Sequence, residues 1–226
     1  MTERRILGLV GSPRANSTSE MLANHLTGKL AKRDWQADVQ RLAAAIRQPA
    51  RWPELEAQIR AADVVVLAFP LYVDSLPAEM TMALEKLAVS YRAQPPAKPQ
   101  RWLGIINCGF LEAHQNDIAL AICEEFCREA GVIWSGGLAI GGGGAIGGRT
   151  LEQIGGMVQF ITDALAMTAD ALDAGREVPP EALALIRKRS MPPWLYFVMA
   201  NIGMCLEAKK HHCLSRINAQ PYARAR

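Results

Sequence analysis

Asp63–Phe69 reads DVVVLAF, one acidic residue followed by six apolar ones with no polar alternation. A strand with one wet face alternates; a strand apolar at every position is buried on both faces, the situation of a parallel sheet covered by helices on each side. The rest of the chain agrees with that constraint. Strands are expected at about 5–11, 37–42, 63–69, 102–107 and 132–140, separated by helical stretches at about 17–32, 52–61, 77–91, 113–130 and 150–174. Five strands with helices between them make an α/β doubly wound parallel sheet, wound by the right-handed crossover rule. Ligands of such sheets bind beyond the carboxyl ends of the strands, where the strand order reverses. The loops after strands one, three and four are therefore the places to look.

The first of them is the richest. Ile6–Ser19 reads ILGLVGSPRANSTS, an apolar strand emptying into a helix through Gly11, hydroxyls, Arg14 and Asn16. A helix start carries unpaired N–H groups at the positive end of the helix dipole, where a phosphate fits. Ser12, Asn16, Ser17, Thr18 and Ser19 add short donors, and Arg14 adds a planar charged fork. The dinucleotide fingerprint fails, because Gly11 stands where three glycines are needed, and no Gly-Lys-Ser/Thr makes a P-loop. A loop around a single terminal phosphate, suited to a mononucleotide, is what remains. The alternative is an ordinary turn in which Asn16 or Ser17 caps the helix.

The loop after the third strand, Pro70–Pro77, reads PLYVDSLP and is apolar where turn residues would be ordinary. It suits a flat ring lying against Leu71 and Tyr72; the competing reading packs Tyr72 on a neighbouring helix. Asp74 would hydrogen-bond a ligand or cap the helix that begins near Pro77. After the fourth strand come Asn107, Cys108, Gly109 and Phe110, where Gly109 permits close approach and Phe110 offers a ring face. His114 follows as a candidate proton donor or a plain surface residue. The glycine run from Gly141 to Gly148, with Arg149, either brings backbone close to a ligand or is a loose turn.

Taken together, GSPRANSTS (11–19) and PLYVDSLP (70–77), in order at the ends of the first and third strands, resemble the flavodoxin-like NAD(P)H-dependent FMN reductases and quinone reductases. The resemblance covers roughly residues 5–174 and implies a flavodoxin-like fold, FMN as cofactor, NADPH or NADH as co-substrate and a homodimer. Ser12, Arg14, Asn16, Ser17, Thr18 and Ser19 would hold the FMN phosphate. Pro70, Leu71, Tyr72, Val73 and Asp74 would flank the ring and ribityl chain, with Asn107, Gly109 and Phe110 on the other side. Hydride would pass from the nicotinamide through FMN to a quinone, a nitro or azo compound, or free flavin. Backbone N–H groups of loops 70–75 and 107–110 would stabilise charge on the reduced ring. No residue is assigned a strictly catalytic role. A flavodoxin-type electron carrier is the alternative, which the extra tail and a net charge of +3 argue against.

Iron–sulfur relatives carry cysteines early in the chain; here none precedes Cys108, so no cluster is expected. Five cysteines, with no C-x-x-C and no signal-like leader, point to free thiols in a cytoplasmic protein. The division expected is a flavin-binding domain over 1–175 and a helical basic extension over 176–226. From Arg187 onward eight cations face only Glu207, so the tail carries +7 and the rest of the chain −4. No reader motif organises these cations, so nucleic acid is not an expected partner. Cys205, His211, His212 and Cys213 match no metal-ligand spacing. The apolar segment 194–206 is too short to span a bilayer. It is read as covering a dimer partner or the flavin pocket rather than lying on a membrane, because Asn201 and Gly203 interrupt it.

Overall fold

The computed structural model describes residues 3–220 apart from Gly148; Gly148, Arg224 and Arg226 of the segments above lie outside the described residues. The elements in chain order are β1 (Arg5–Val10), α1 (Thr18–Ala31), β2 (Gln36–Arg41), α2 (Leu42–Arg47), α3 (Trp52–Ala61) and β3 (Val64–Pro70). They continue with α4 (Ala78–Ala93), β4 (Arg101–Asn107), α5 (Asp117–Ala130), β5 (Ile133–Ile140), α6 (Gly143–Ile146) and α7 (Leu151–Ile154). Last come α8 (Gln159–Asp173), α9 (Pro180–Ile186) and α10 (Pro193–Lys210). The strands form one parallel sheet in the order β2-β1-β3-β4-β5. The flavodoxin-like doubly wound fold expected from the sequence is the one observed.

Period-two alternation divides the buried strand residues between two apolar layers. Leu7, Leu9, Val65, Leu67, Phe69, Trp102 and Ile106 pack with residues of α2 to α5 on one face. Ile6, Val10, Val64, Val66, Ala68, Leu103 and Ile105 pack with α1, α8 and α9 on the other. In β3 every residue from Val64 to Phe69 is buried, which is why its sequence shows no alternation. β1 and β3 lie side by side but their outgoing helices cover opposite faces, so their carboxyl ends frame the crevice.

Helix ends follow local chemistry. Gly131 takes the left-handed conformation (φ 67°) that stops α5, and Pro53 sits in the first turn of α3. The single helix expected over 150–174 is instead broken. α7 starts on a Thr150–Gln153 capping box, Gly155 adopts φ 73°, and a 3₁₀ turn over Gly155–Val158 precedes α8. The expected helix from 113 likewise opens with a 3₁₀ turn, Ala113–Asn116. α2 was not foreseen, because LAAAIR is shorter than two turns of sequence periodicity.

The first compact unit runs to Ser190 and a second begins at Met191. The boundary thus falls beyond the expected 175, because Val178, Ala182 and Ile186 are buried in the layer with α8. The second unit, by itself, is α10 followed by a short 3₁₀ turn, Leu214–Arg216.

Candidate functional site

A cavity of about 430 Å³ opens at the carboxyl ends of β1, β3 and β4. Its walls come from four segments: 12–19, 70–72, 107–109 and the glycine turn after β5. Of the residues expected from the sequence to hold the cofactor, all but Val73, Asp74 and Phe110 line it. A second cavity of the same volume lies along β1 and β2 near Gln36 and Gln58. It contains none of those residues and lies away from the carboxyl edge where ligands of this fold bind.

The 12–19 segment is both a helix cap and a wall of the cavity. Ser17 is the N-cap of α1, its Oγ accepting from the Glu20 N–H at 3.2 Å. Asn16 turns the chain through a left-handed conformation (φ 53°), and its N–H donates to Glu20 Oε2 at 2.8 Å. Ser12, almost fully buried, accepts from the Arg14 N–H at 3.3 Å. These bonds leave the Ser12 and Ser17 hydroxyl protons uncommitted.

Thr18 and Ser19 differ. The Thr18 hydroxyl donates to the Gly143 carbonyl at 3.2 Å, and the Ser19 hydroxyl donates to Asn107 Oδ1 at 2.7 Å in a buried pair. Each hydroxyl has one proton, so neither side chain has one left for a ligand. Their backbone N–H groups, the first two of α1, have no protein partner among the described residues. The Arg14 guanidinium is exposed and likewise without a partner among them.

The 70–77 loop folds into a tight turn. The Tyr72 N–H donates to Ser75 O and the Ser75 N–H to Tyr72 O, both at 3.0 Å. The two residues between them are left-handed, Val73 at φ 49° and Asp74 at φ 55°. This is costly for Val, whose branched Cβ crowds the backbone there. Val73 is 98% exposed, Phe110 57% and Tyr72 42%, so these three are exposed apolar surface rather than core, Tyr72 lining the cavity and the other two lying outside its lining. Tyr72 therefore stays out of the core. Asp74 does not cap α4, whose N-cap Pro77 has no side-chain hydrogen bond.

The amides expected to meet ring charge are largely spent within the protein. Leu71 N–H donates to Asn107 O at 2.9 Å, Cys108 N–H to Ile140 O at 3.0 Å, and Tyr72 and Ser75 pair with each other. Among the described residues Val73, Asp74 and Phe110 keep N–H groups without such partners.

The described part of the glycine run is tied down at its start by backbone hydrogen bonds. The Gly142 N–H donates to Phe110 O at 2.6 Å and the Gly143 N–H to Cys108 O at 2.8 Å. A Cβ on Gly141 would lie 2.2 Å from the Leu111 carbonyl oxygen, so only glycine lets the β5 end press against the β4 loop. Gly143, Gly144 and Gly147 line the cavity. Arg149 is exposed and its Nε donates to Ile146 O at 3.2 Å. His114 is exposed in the 3₁₀ turn and lines none of the cavity.

Two residues escaped the sequence reading. Cys108 lines the cavity but its sulfur is buried, donating to Phe110 O at 3.4 Å and accepting from Asn116 Nδ2 at 3.5 Å; burial pushes its thiol pKa up. A protonated, hydrogen-bonded thiol is not a nucleophile. Arg41 ends β2 and its Nη2 donates to the Pro13 carbonyl at 3.2 Å, steadying the 12–19 loop. Its place at the carboxyl end of a strand beside β1 was the available signal.

The sheet order and a hydroxyl-rich cavity at the start of α1 define a mononucleotide-binding doubly wound protein. Residues 4–116 match the model of the NADPH-dependent FMN reductase family, and the chain belongs to that family. It is thus an NAD(P)H-dependent flavin oxidoreductase, with FMN as cofactor and a reduced nicotinamide as co-substrate.

Solved structures share the fold at low identity. An NADH:FMN oxidoreductase in its apo form superposes with a TM-score of 0.60 at 19% identity, covering 85% of this chain and 98% of that one. An NAD(P)H:quinone oxidoreductase from Methanothermobacter marburgensis gives 0.56 at 14%, covering 76% and 97%. An FMN-dependent NADH-azoreductase from Bacillus anthracis in complex with FMN gives 0.56 at 12%, covering 75% and 99%. No curated protein sequence matches the chain.

Proposed function

We propose that the cavity between the 12–19, 70–72 and 107–109 segments is the FMN site, and that the electrons go to a small organic oxidant. The observation that carries the reading is the set of uncommitted donors at one end of the cavity: the Thr18 and Ser19 amides, the Ser12 and Ser17 hydroxyls and the Arg14 guanidinium. That set is acceptor-poor and sits at a helix N-terminus, the chemistry a phosphate dianion requires. The volume lies within the roughly 300–1,000 Å³ of small-molecule sites. A Cβ on Gly109 would meet nothing within 4 Å, so that wall leaves room for a ring. The residues present therefore fit the cofactor that the family uses.

Bound there, FMN supplies a two-electron store that takes hydride from a nicotinamide and gives electrons to an acceptor. The protein's part is positional. The start of α1 anchors the phosphate, and the Ser19–Asn107 bond ties that anchor to the loop beside the ring. Leu71 and Tyr72 supply an apolar wall that excludes water from one face. The N–H groups of Val73, Asp74 and Phe110 are the ones free to meet ring oxygens, in place of the larger set expected from sequence.

The exposed rim of Tyr72, Val73 and Phe110 favours a flat aromatic or quinonoid acceptor, and the related structures named for quinone and azo reduction point the same way. The protein is proposed to act as a homodimer. Family membership favours an enzyme over a single-electron carrier.

The test is anaerobic. FMN-loaded protein is mixed with NADPH or NADH and the flavin absorbance followed; a benzoquinone, a nitroaromatic or an azo dye is then added. Bleaching by a nicotinamide and recovery with one of these acceptors supports the reading. Bleaching without recovery by any of them overturns the acceptor class.

A further inference from the structure

We infer that α10 is a lipid-binding element that beds the protein onto an anionic membrane surface. No residue of this helix is buried, yet from Pro193 to Leu206 it carries no charged side chain, and its polar groups are the Asn201 amide and the tips of Trp194, Tyr196 and Cys205. The apolar side chains surround it. At 100° per residue Trp194, Val198 and Ile202 form one stripe, Met199 and Leu206 a second, and Phe197 and Met204 a third roughly opposite the others. All seven are exposed. A partner seated on one side of this helix would leave apolar side chains on the other side wet. Acyl chains cover every side, and a helix apolar all round belongs in such a medium.

The backbone suits the same medium. Pro192 and Pro193 bring no N–H to the helix start, and the Leu195 and Tyr196 N–H groups both donate to Pro192 O at 3.1 Å. Among the described residues, Trp194 alone at that start keeps an N–H with no backbone partner. Asn201, which had argued against a membrane role, turns its amide inward, Nδ2 donating to Phe197 O at 2.8 Å. It therefore meets the surroundings with one donor already satisfied.

Length and charge fix the mode of binding. The fourteen residues from Pro193 to Leu206 rise about 21 Å, short of the roughly 30 Å of a hydrocarbon core, and no helix among the described residues is long and apolar enough to cross a membrane. The helix therefore lies within one leaflet. Its C-terminal end carries Lys209 and Lys210, with Arg216 beyond, against Glu207, which Lys210 and His211 already bind. Arg187 and Arg189, earlier in the chain, are occupied by Asp117 and Glu112. The net positive end meets anionic headgroups.

The experiment is flotation of the FMN-loaded full chain with vesicles of phosphatidylcholine alone or mixed with phosphatidylglycerol, without nicotinamide or acceptor. Its outcome is independent of the redox reading. Binding to the mixed vesicles should exceed binding to neutral ones roughly tenfold or more and weaken with salt. Lys209→Gln with Lys210→Gln should remove most of that preference, and Phe197→Glu with Ile202→Glu should abolish binding while FMN titration stays unchanged.

Should the glutamate variant fail to fold, quenching of tryptophan fluorescence by brominated lipid gives a second readout, present in wild type and sharply reduced in Trp194→Phe. Absence of flotation with either vesicle overturns the inference. So does a wild-type oligomer that ignores vesicles and dissociates in the Phe197→Glu/Ile202→Glu variant, which would make a second copy the occupant. Quenching unchanged in Trp194→Phe also contradicts it.

Discussion

Replacing Ser19 by alanine probes the joint that holds the two halves of the site together. Its hydroxyl donates to Asn107 Oδ1 at 2.7 Å, with both residues buried. Truncation removes the donor and leaves a buried carbonyl oxygen with nothing to accept. That deficit costs about 1–3 kcal/mol, more than the roughly 1 kcal/mol net value of a hydrogen bond whose partners both disappear. At about 2–4 °C per kcal/mol for a domain of this size, the melting temperature of FMN-free protein should fall by roughly 2–12 °C.

A double-mutant cycle with Asn107→Ala isolates the pair. Urea unfolding with an unchanged m-value gives the four stabilities, and the coupling should be about 1 kcal/mol or more. The same cycle read by FMN titration should show the phosphate end weakened through loss of position, since the Ser19 hydroxyl proton was never available to the ligand. Additivity within about 0.3–0.5 kcal/mol, or Ser19→Ala as stable as wild type, would refute the argument.

Other substitutions test separate pieces. Gly141→Ala places a Cβ 2.2 Å from Leu111 O and should destabilise by at least the roughly 1–3 kcal/mol of an overpacked core, seen as a lower urea midpoint. Val73→Asn relieves a left-handed β-branched residue and should raise stability by about 1 kcal/mol, visible in thermal melts.

The His25 pKa is lowered by burial, then by Lys29, so the unfolded chain takes up the proton first. Stability should therefore fall as pH drops below 6.5 towards the folded-state value, and His25→Gln should flatten that slope in pH-dependent unfolding.

The sheet was readable because its strongest signal is physical. Val64–Phe69 is buried on both faces and so carries no alternation. The site was readable to the extent that it lies where strands end. For 12–19, cap and wall proved compatible, Ser17 serving both. Which hydroxyls are spent was not readable, because Thr18 and Ser19 turn to Gly143 and Asn107, 125 and 88 residues away in sequence. The break at Gly155 was hidden by an apolar periodicity that continues through it. The C-terminal boundary was missed because α9 is only seven residues long, and its burial depends on packing against α8 rather than on a pattern of its own.

The central claim is that the start of α1 grips a phosphate. Parallel titration of the flavin-free protein with FMN and with riboflavin, which differ only in that group, tests it most directly. FMN should bind at least about tenfold tighter, the value of one charge-assisted contact of about 1.4 kcal/mol, and Arg14→Ala should narrow the gap while leaving riboflavin unaffected. Equal affinity for the two ligands would contradict the account.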